Sequence, residues 1–305
     1  MYPCSNPELV AAASEAGAIG IIQPLSLSYV HGYDFREGLQ YIRSLTDKPV
    51  GINFILETSS NRYVERTQEW VEIALEEGIQ FFVTALGNPR WVVDRAKSAN
   101  VIIYHDVTEK KWADKALDAG VDGFMCVNNR AGGHAGQLSA EKLYEQVLPL
   151  GKPLICAGGI GTANDYQIML ELGYSGIQMG TRFIASEECT AHDDYKQAIL
   201  RANEEDIVLT DKISGVPVSI IRTPFIEKIG TQANALSRWL LRNNRTKHWM
   251  RTFYTLQSLW KLKKAAMQGM NYRDYFQAGK SVANIHEIIS AKEIIEQIIS
   301  TETLD

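Results

Sequence analysis

From the N-terminus to about residue 180, short apolar or β-branched runs alternate with longer segments whose apolar residues recur at helical spacing. The runs are Ala18–Ile22, Val50–Phe54, Phe81–Thr84, Val101–His105, Gly123–Val127, Leu154–Ala157 and Gly176–Met179. Between them the spacing predicts helices over Pro7–Glu15, Tyr63–Glu76, Lys110–Ala119, Ser139–Val147 and Ala163–Leu172. Several of these meet a glycine just past their last turn, at Gly17, Gly78, Gly120 and Gly173, where a left-handed residue ends a helix at least cost. Such alternation is the signature of βα units and a parallel sheet.

Seven strands are one short of a closed (β/α)₈ barrel of TIM type. The chain opens on a helix, and Met1, Tyr2 and Pro3 are too few for a strand of about five or six residues. The expectation is therefore a TIM barrel whose first strand is missing or truncated, with the natural or ancestral sequence extending upstream. An open doubly wound sheet competes, since it tolerates seven strands. Its dinucleotide fingerprint is lacking, however: Gly159-Ile160-Gly161-Thr162-Ala163-Asn164 carries Asn where the third glycine belongs.

After Glu187 the pattern turns helical without clear strands, so the expected organisation is a barrel over 1–187, a helical lid over 188–280 and a C-terminal helix over 281–305 that packs back on the barrel. Residues 236–280 hold ten Lys and Arg against one acid, Asp274. On one continuous helix Trp239, Trp249 and Trp260 would share an arc of about 80°. That arrangement reads either as a buried aromatic stripe under a solvated basic face or as a basic surface for an anionic ligand or carrier.

Composition narrows the function classes. The 305 residues are 45% hydrophobic and 22% charged, with 31 Lys and Arg against 36 Asp and Glu for a net charge of −5, an ordinary globular balance rather than that of a nucleic-acid binder. No apolar run has the roughly 20 residues of a membrane span, and no signal peptide opens the chain, so a cytoplasmic protein is expected. The four cysteines form no C-x-x-C pair and no zinc-finger spacing, so neither a disulfide frame nor a metal site is expected. Cys126 and Cys156 sit inside apolar runs and read as packing residues. Patterns for serine hydrolases, zincins and P-loop proteins are all missing.

In a parallel barrel the chemistry lies at the C-terminal strand ends. Read in order, these ends give Asn53, Thr84, His105-Asp106, the loop Asn128–Gly136, Gly158-Gly159 and Gly180-Thr181-Arg182. If a strand is missing upstream, the last two follow strands seven and eight, where barrels commonly hold phosphate on backbone N–H groups. Gly158, Gly159 and Gly161 would let the backbone approach an anion; alternatively, they serve only tight turns. His134 stands among three glycines in Arg130-Ala131-Gly132-Gly133-His134-Ala135-Gly136, a setting open to a flat ligand. It is the candidate general base, the alternative being a cap for the next helix.

The series Gly51-Ile52-Asn53-Phe54, Thr84-Ala85-Leu86-Gly87-Asn88-Pro89, Ala131-Gly132-Gly133-His134-Ala135-Gly136, Ala157-Gly158-Gly159-Ile160 and Gln178-Met179-Gly180-Thr181-Arg182-Phe183 resembles the nitronate monooxygenase family, formerly the 2-nitropropane dioxygenases. The likeness spans nearly the whole chain. It implies an FMN-dependent TIM barrel with a small helical domain over the flavin and His134 facing the substrate. The resemblance also implies that Gly158, Gly159, Gly180 and Thr181 hold the FMN phosphate, that Asn53 and Thr84 lie against the ring or ribityl chain, and that Gly133, Ala157 and Gln178 complete the flavin site. Many relatives have Lys where this chain has Asp106, and a Lys there could stabilise charge on reduced flavin. The family's first strand also ends near the position of Met1.

The resemblance implies oxidation of nitronates, and of parent nitroalkanes after His134 removes the α-proton, with O₂ as co-substrate and a carbonyl product plus nitrite. Two alternatives stand beside it: a flavin-dependent NAD(P)H enoyl-thioester reductase, whose basic 236–280 region would receive an acidic carrier protein, and a non-catalytic barrel paralogue. The expected partners are small molecules, with a homodimer open and neither nucleic acid nor membrane.

Overall fold

The structure, a computed structural model, describes residues 1–58, 60–213, 216–232, 260–268 and 275–300. Seven parallel strands form one sheet in chain order: β1 Gly20–Ile22, β2 Val50–Ile55, β3 Phe81–Ala85, β4 Ile102–Val107, β5 Gly123–Val127, β6 Leu154–Ala157 and β7 Gly176–Gln178. The connecting helices are α1 Pro7–Glu15, α2 Phe35–Leu45, α3 Asn61–Glu76, α4 Arg90–Ala96, α5 Lys110–Ala119, α6 Ala140–Val147 and α7 Ala163–Leu172. This is the TIM-type α/β barrel read from the sequence. Two helices were passed over: α2, whose N-cap Asp34 accepts from Arg36 N and Glu37 N, and the two-turn α4.

Period-two alternation gives the curled sheet two different faces. Phe54, Thr84, His105 and Phe124 stand in one cross-strand row, and the side chains of that face pack under the helices with Ile22, Ile52, Phe82, Cys126, Leu154 and Cys156. The Phe54 and Phe82 rings meet edge to face at 5.1 Å between centroids. The opposite face carries Asn53, Val83, Asp106, Met125, Ala157 and Gln178 toward the barrel interior. Left-handed Gly120 and Gly173 end α5 and α7, and α7 begins on a reciprocal cap between Thr162 and Asp165.

No strand of the described residues joins β1 to β7. That seam is spanned by the C-terminal helix Ala291–Ile299, which packs against both α1 and α7, and Met1 lies beside Gly180 at the rim.

The segment after β7 corrects the helix-only reading. α8 Thr181–Ile184 and α9 Asp193–Arg201 are followed by an antiparallel pair, β8 Ile207–Thr210 and β9 Val218–Ile221, and then by α10 Pro224–Ile229. These elements, with residues 260–268 and 275–285, surround a second core in which Tyr195 stacks on Phe276 at 4.6 Å. Trp239, Trp249 and most of the basic stretch lie outside the described residues; Trp260 is exposed, with the Lys264 ammonium over its ring. All four cysteines are free and buried. Among the described residues no helix is long and apolar enough to cross a membrane.

Candidate functional site

The C-terminal strand ends and the loops after them enclose a continuous cavity of about 2160 Å³ that reaches into the barrel interior. Asn53, Gly133, His134, Ala157, Gly158, Gly159, Gln178, Gly180 and Thr181 all line it, so residues scattered over more than a hundred positions meet on one surface. Thr84 stands apart. The register sets it opposite Phe54 on the helix-facing side, fully buried, with Oγ1 2.8 Å from His105 Nδ1 and donating to the Tyr104 carbonyl. Its place is behind the wall, where it orients His105.

The turn after β6 is built by crowding. Gly158 has φ +117°, and a Cβ there would lie 2.6 Å from both Ala131 N and Asn128 Oδ1; at Gly159, with φ +85°, a Cβ would meet Arg130 Nε at 2.7 Å. Only glycine fits both the backbone angle and the space. Asn128, wholly buried, clamps this turn to the loop after β5: its Nδ2 donates to the Gly158 carbonyl at 2.9 Å and its Oδ1 accepts from Arg130 N at 2.8 Å. The N–H groups of Gly158, Gly159, Gly180 and Thr181 donate to no other group among the described residues.

The histidine loop is fixed from the second core. Ser219 N on β9 donates to the Gly133 carbonyl at 2.7 Å, so an edge strand holds the residue before His134. Gly279 N donates to Thr181 Oγ1 at 2.9 Å, and Lys280 N to the Arg130 carbonyl at 2.9 Å. The Arg130 guanidinium forms a two-bond pair with Glu204 at 2.9 and 2.8 Å, which Lys280 joins at 3.2 Å. Gln277, Gly279 and Ser281 also line the cavity. Sequence reading missed these three and Asn128, because each role is a contact with a distant segment and leaves no local pattern.

Burial sets the proton affinities. It lowers the His134 pKa, so the imidazole is neutral near pH 7 and can accept a proton. His105, walled in beside Thr84, is pushed down to about 4, whereas burial pushes the Asp106 carboxyl up to about 7. Cys126 and Cys156 are pushed up to about 12 and remain thiols. Among the described residues no group of His, Cys, Asp and Glu could hold a metal ion.

Comparison with known proteins gives these features a setting. The nitronate monooxygenase family model matches residues 1–301. A carboxyl-CoA dehydrogenase of Mycobacterium tuberculosis, acting on a hydroxy-methyl-oxo-octahydroindene substrate by its name, is 24% identical over 97% of this chain and 89% of its own length. A protein named probable nitronate monooxygenase from Staphylococcus saprophyticus is 26% identical over 81% of this chain and 80% of its own. Among solved structures, FabK from Thermotoga maritima superposes with a TM-score of 0.79 at 29% identity, covering 98% of this chain and 89% of that one.

Proposed function

The chain belongs to the nitronate monooxygenase family and is a flavin-dependent oxidoreductase, and from that premise we propose that its flavin is FMN and that it oxidises nitronates, or nitroalkanes whose α-proton His134 removes, with O₂ as co-substrate. The observation that carries this reading is the meeting, in one cavity, of a neutral imidazole with two backbone turns whose N–H groups have no acceptor among the described residues. Those turns fit a phosphate: Gly158 and Gly159 leave no room for side chains, and Gly180, Thr181 and Ser281 border the same space. Several converging N–H donors are what an anion needs, since each is worth only about 0.3–1 kcal/mol at an exposed site. Asn53 and Gln178 supply amide groups on the interior wall.

Bound FMN would supply the electron acceptor. The chain's part is to hold the substrate against it and to move a proton. A histidine with lowered pKa is deprotonated at working pH and so is suited to take a proton from the carbon bearing a nitro group. Gly133, pinned by Ser219, fixes the backbone from which that imidazole projects.

A second reading, reduction of an enoyl thioester by NAD(P)H, is favoured by the relative named as a carboxyl-CoA dehydrogenase. The visible spectrum of the purified chain with FMN, followed by addition of a nitronate or of NADH plus an enoyl thioester, decides between them. Turnover of nitronate without NADH supports the first reading, and NADH consumption stimulated only by the thioester supports the second. A protein that retains no FMN once the unbound cofactor is removed by gel filtration refutes both. His134→Ala should lower nitroalkane turnover by about 10²–10⁴-fold with FMN still bound; unchanged turnover would remove His134 from the chemistry.

A further inference from the structure

Asp106 is the polar group on the interior wall that the proposed chemistry leaves without a role. It lies on the inward face of β4 opposite Met125 of β5 and lines the cavity, and its Oδ1 is buried with no hydrogen-bond partner among the described residues. The neighbouring interior side chains Val83, Ala85, Met125 and Val127 offer neither charge nor donor. The amino group of Met1 is the one charged group among the described residues that bears on it, and its attraction only partly offsets the cost of burial. His105, next in sequence, faces the helix side and is itself held neutral near pH 7.

An ionised carboxylate without donors is expensive in such a place, whereas a neutral carboxylic acid can give its proton to an acceptor. The strand bearing the Gly158-Gly159 turn, β6, is two strands away from β4, about 10 Å at the usual interstrand spacing. A ligand anchored at that turn and lying across the barrel mouth therefore passes Asp106. We propose that Asp106 is a neutral carboxylic acid that donates a hydrogen bond to an acceptor atom of the bound flavin ring, so that flavin affinity falls as the pH rises. This rests on the FMN reading above and adds a residue and a pH dependence to it.

The magnitude follows from the fraction of competent protein. With the carboxyl near 7, that fraction falls from about 0.9 at pH 6 to about 0.03 at pH 8.5, so the FMN dissociation constant should weaken by up to about 30-fold. Asp106→Asn keeps a donor but cannot ionise. Because the FMN phosphate itself titrates near pH 6, the quantity to read is the ratio of wild-type to Asp106→Asn dissociation constants, obtained by fluorescence titration at each pH. The ratio should be near one at pH 6 and rise to about 30 at pH 8.5; a ratio that does not change with pH overturns the proposal.

Infrared difference spectra of the flavin-free proteins supply a readout that needs no cofactor. A protonated-carboxyl band present in the wild type at pH 6, lost by pH 8.5 and missing from Asp106→Asn is expected, and its absence at pH 6 refutes the neutral acid. Should Asp106→Asn fail to fold, the wild-type band and the wild-type affinity profile for riboflavin, which carries no titrating phosphate, still decide. If neither protein binds FMN at any pH, the flavin reading fails and takes this hydrogen bond with it, while the infrared band reports on the acid separately.

Discussion

Replacing Gly158 with Ala adds two penalties that a control position can separate. At φ +117° an L-residue carries backbone strain of about 1–2 kcal/mol. The new methyl would also sit 2.6 Å from Ala131 N and Asn128 Oδ1 and 2.8 Å from Ala131 Cα, where the obstacles are backbone and a buried side chain. Relieving that overlap costs about 1–3 kcal/mol. If Asn128 yields, its bonds to the Gly158 carbonyl and from Arg130 N weaken, at about 1 kcal/mol each. A total of about 2–5 kcal/mol, or up to about 7 kcal/mol if Asn128 yields, is expected. Gly17, at φ +93° with nothing within 4 Å of the added carbon, isolates the backbone strain alone. Thermal unfolding of the two flavin-free variants should then differ: at about 2 °C per kcal/mol, Gly17→Ala loses about 2–4 °C and Gly158→Ala about 4–14 °C. FMN titration should show lost affinity only for Gly158→Ala. Equal shifts in Tm would refute the crowding argument, and unchanged FMN affinity in Gly158→Ala would refute the phosphate role of this turn.

Two further outcomes follow from electrostatics. His105, lowered from 6.5 to about 4, gives stability that is full above pH 6.5 and lost as the pH falls through 4, about 3 kcal/mol in all. Asp106, raised from 3.8 to about 7, gives the opposite slope: its contribution is full below 3.8 and lost as the pH rises through 7, by about 4 kcal/mol. The two oppose one another between pH 4 and 6.5, and in urea unfolding of the flavin-free proteins the stability of Asp106→Asn relative to wild type should rise by about 3 kcal/mol over that range; a difference that stays constant with pH contradicts the raised Asp106 carboxyl. Glu204→Gln frees Arg130 and Lys280 from a half-exposed pairing, so the loss should be only about 1–2 kcal/mol and should shrink in high salt. A large, salt-independent loss would show a different role for that carboxylate.

The βα rhythm was legible because its signals are local. Gly123–Val127, Leu154–Ala157, Pro7–Glu15, Lys110–Ala119 and Ala163–Leu172 coincide with the structure residue for residue, each a run of matching period closed by a turn residue. Thr84 shows where a strand-end reading needs one more step. Position along the strand brought it to the rim, but alternation sends it to the same side as Phe82, away from Asn53. The β8–β9 pair escaped because Ile207–Thr210 and Val218–Ile221 are only four residues each, and what makes them strands is pairing with one another, with Gly133 and with Gln277. Asp106 was visible as an unusual residue at its position, yet its protonation depends on what surrounds it in space.

The positions of the imidazole and the two glycine turns are coupled through a few hydrogen bonds from backbone N–H groups of the later elements. Ser219 holds Gly133, Gly279 holds Thr181, and Lys280 holds Arg130; all three partners come from the second core, at least 85 residues along the chain from the groups they fix. Leu9 of α1 and Ala291 of the C-terminal helix carry apolar packing between the layers, and these bonds tie the layers together at the site itself. Cooperative units of unequal stability open separately, and loops shared between two of them belong to the least protected part of a fold. Loosening the second core should therefore disorder the histidine loop and the Thr181 turn together while β2 to β6 stay intact. The geometry suited to proton transfer then exists only while the later elements are docked, and a ligand bridging both turns stabilises that docking by mass action.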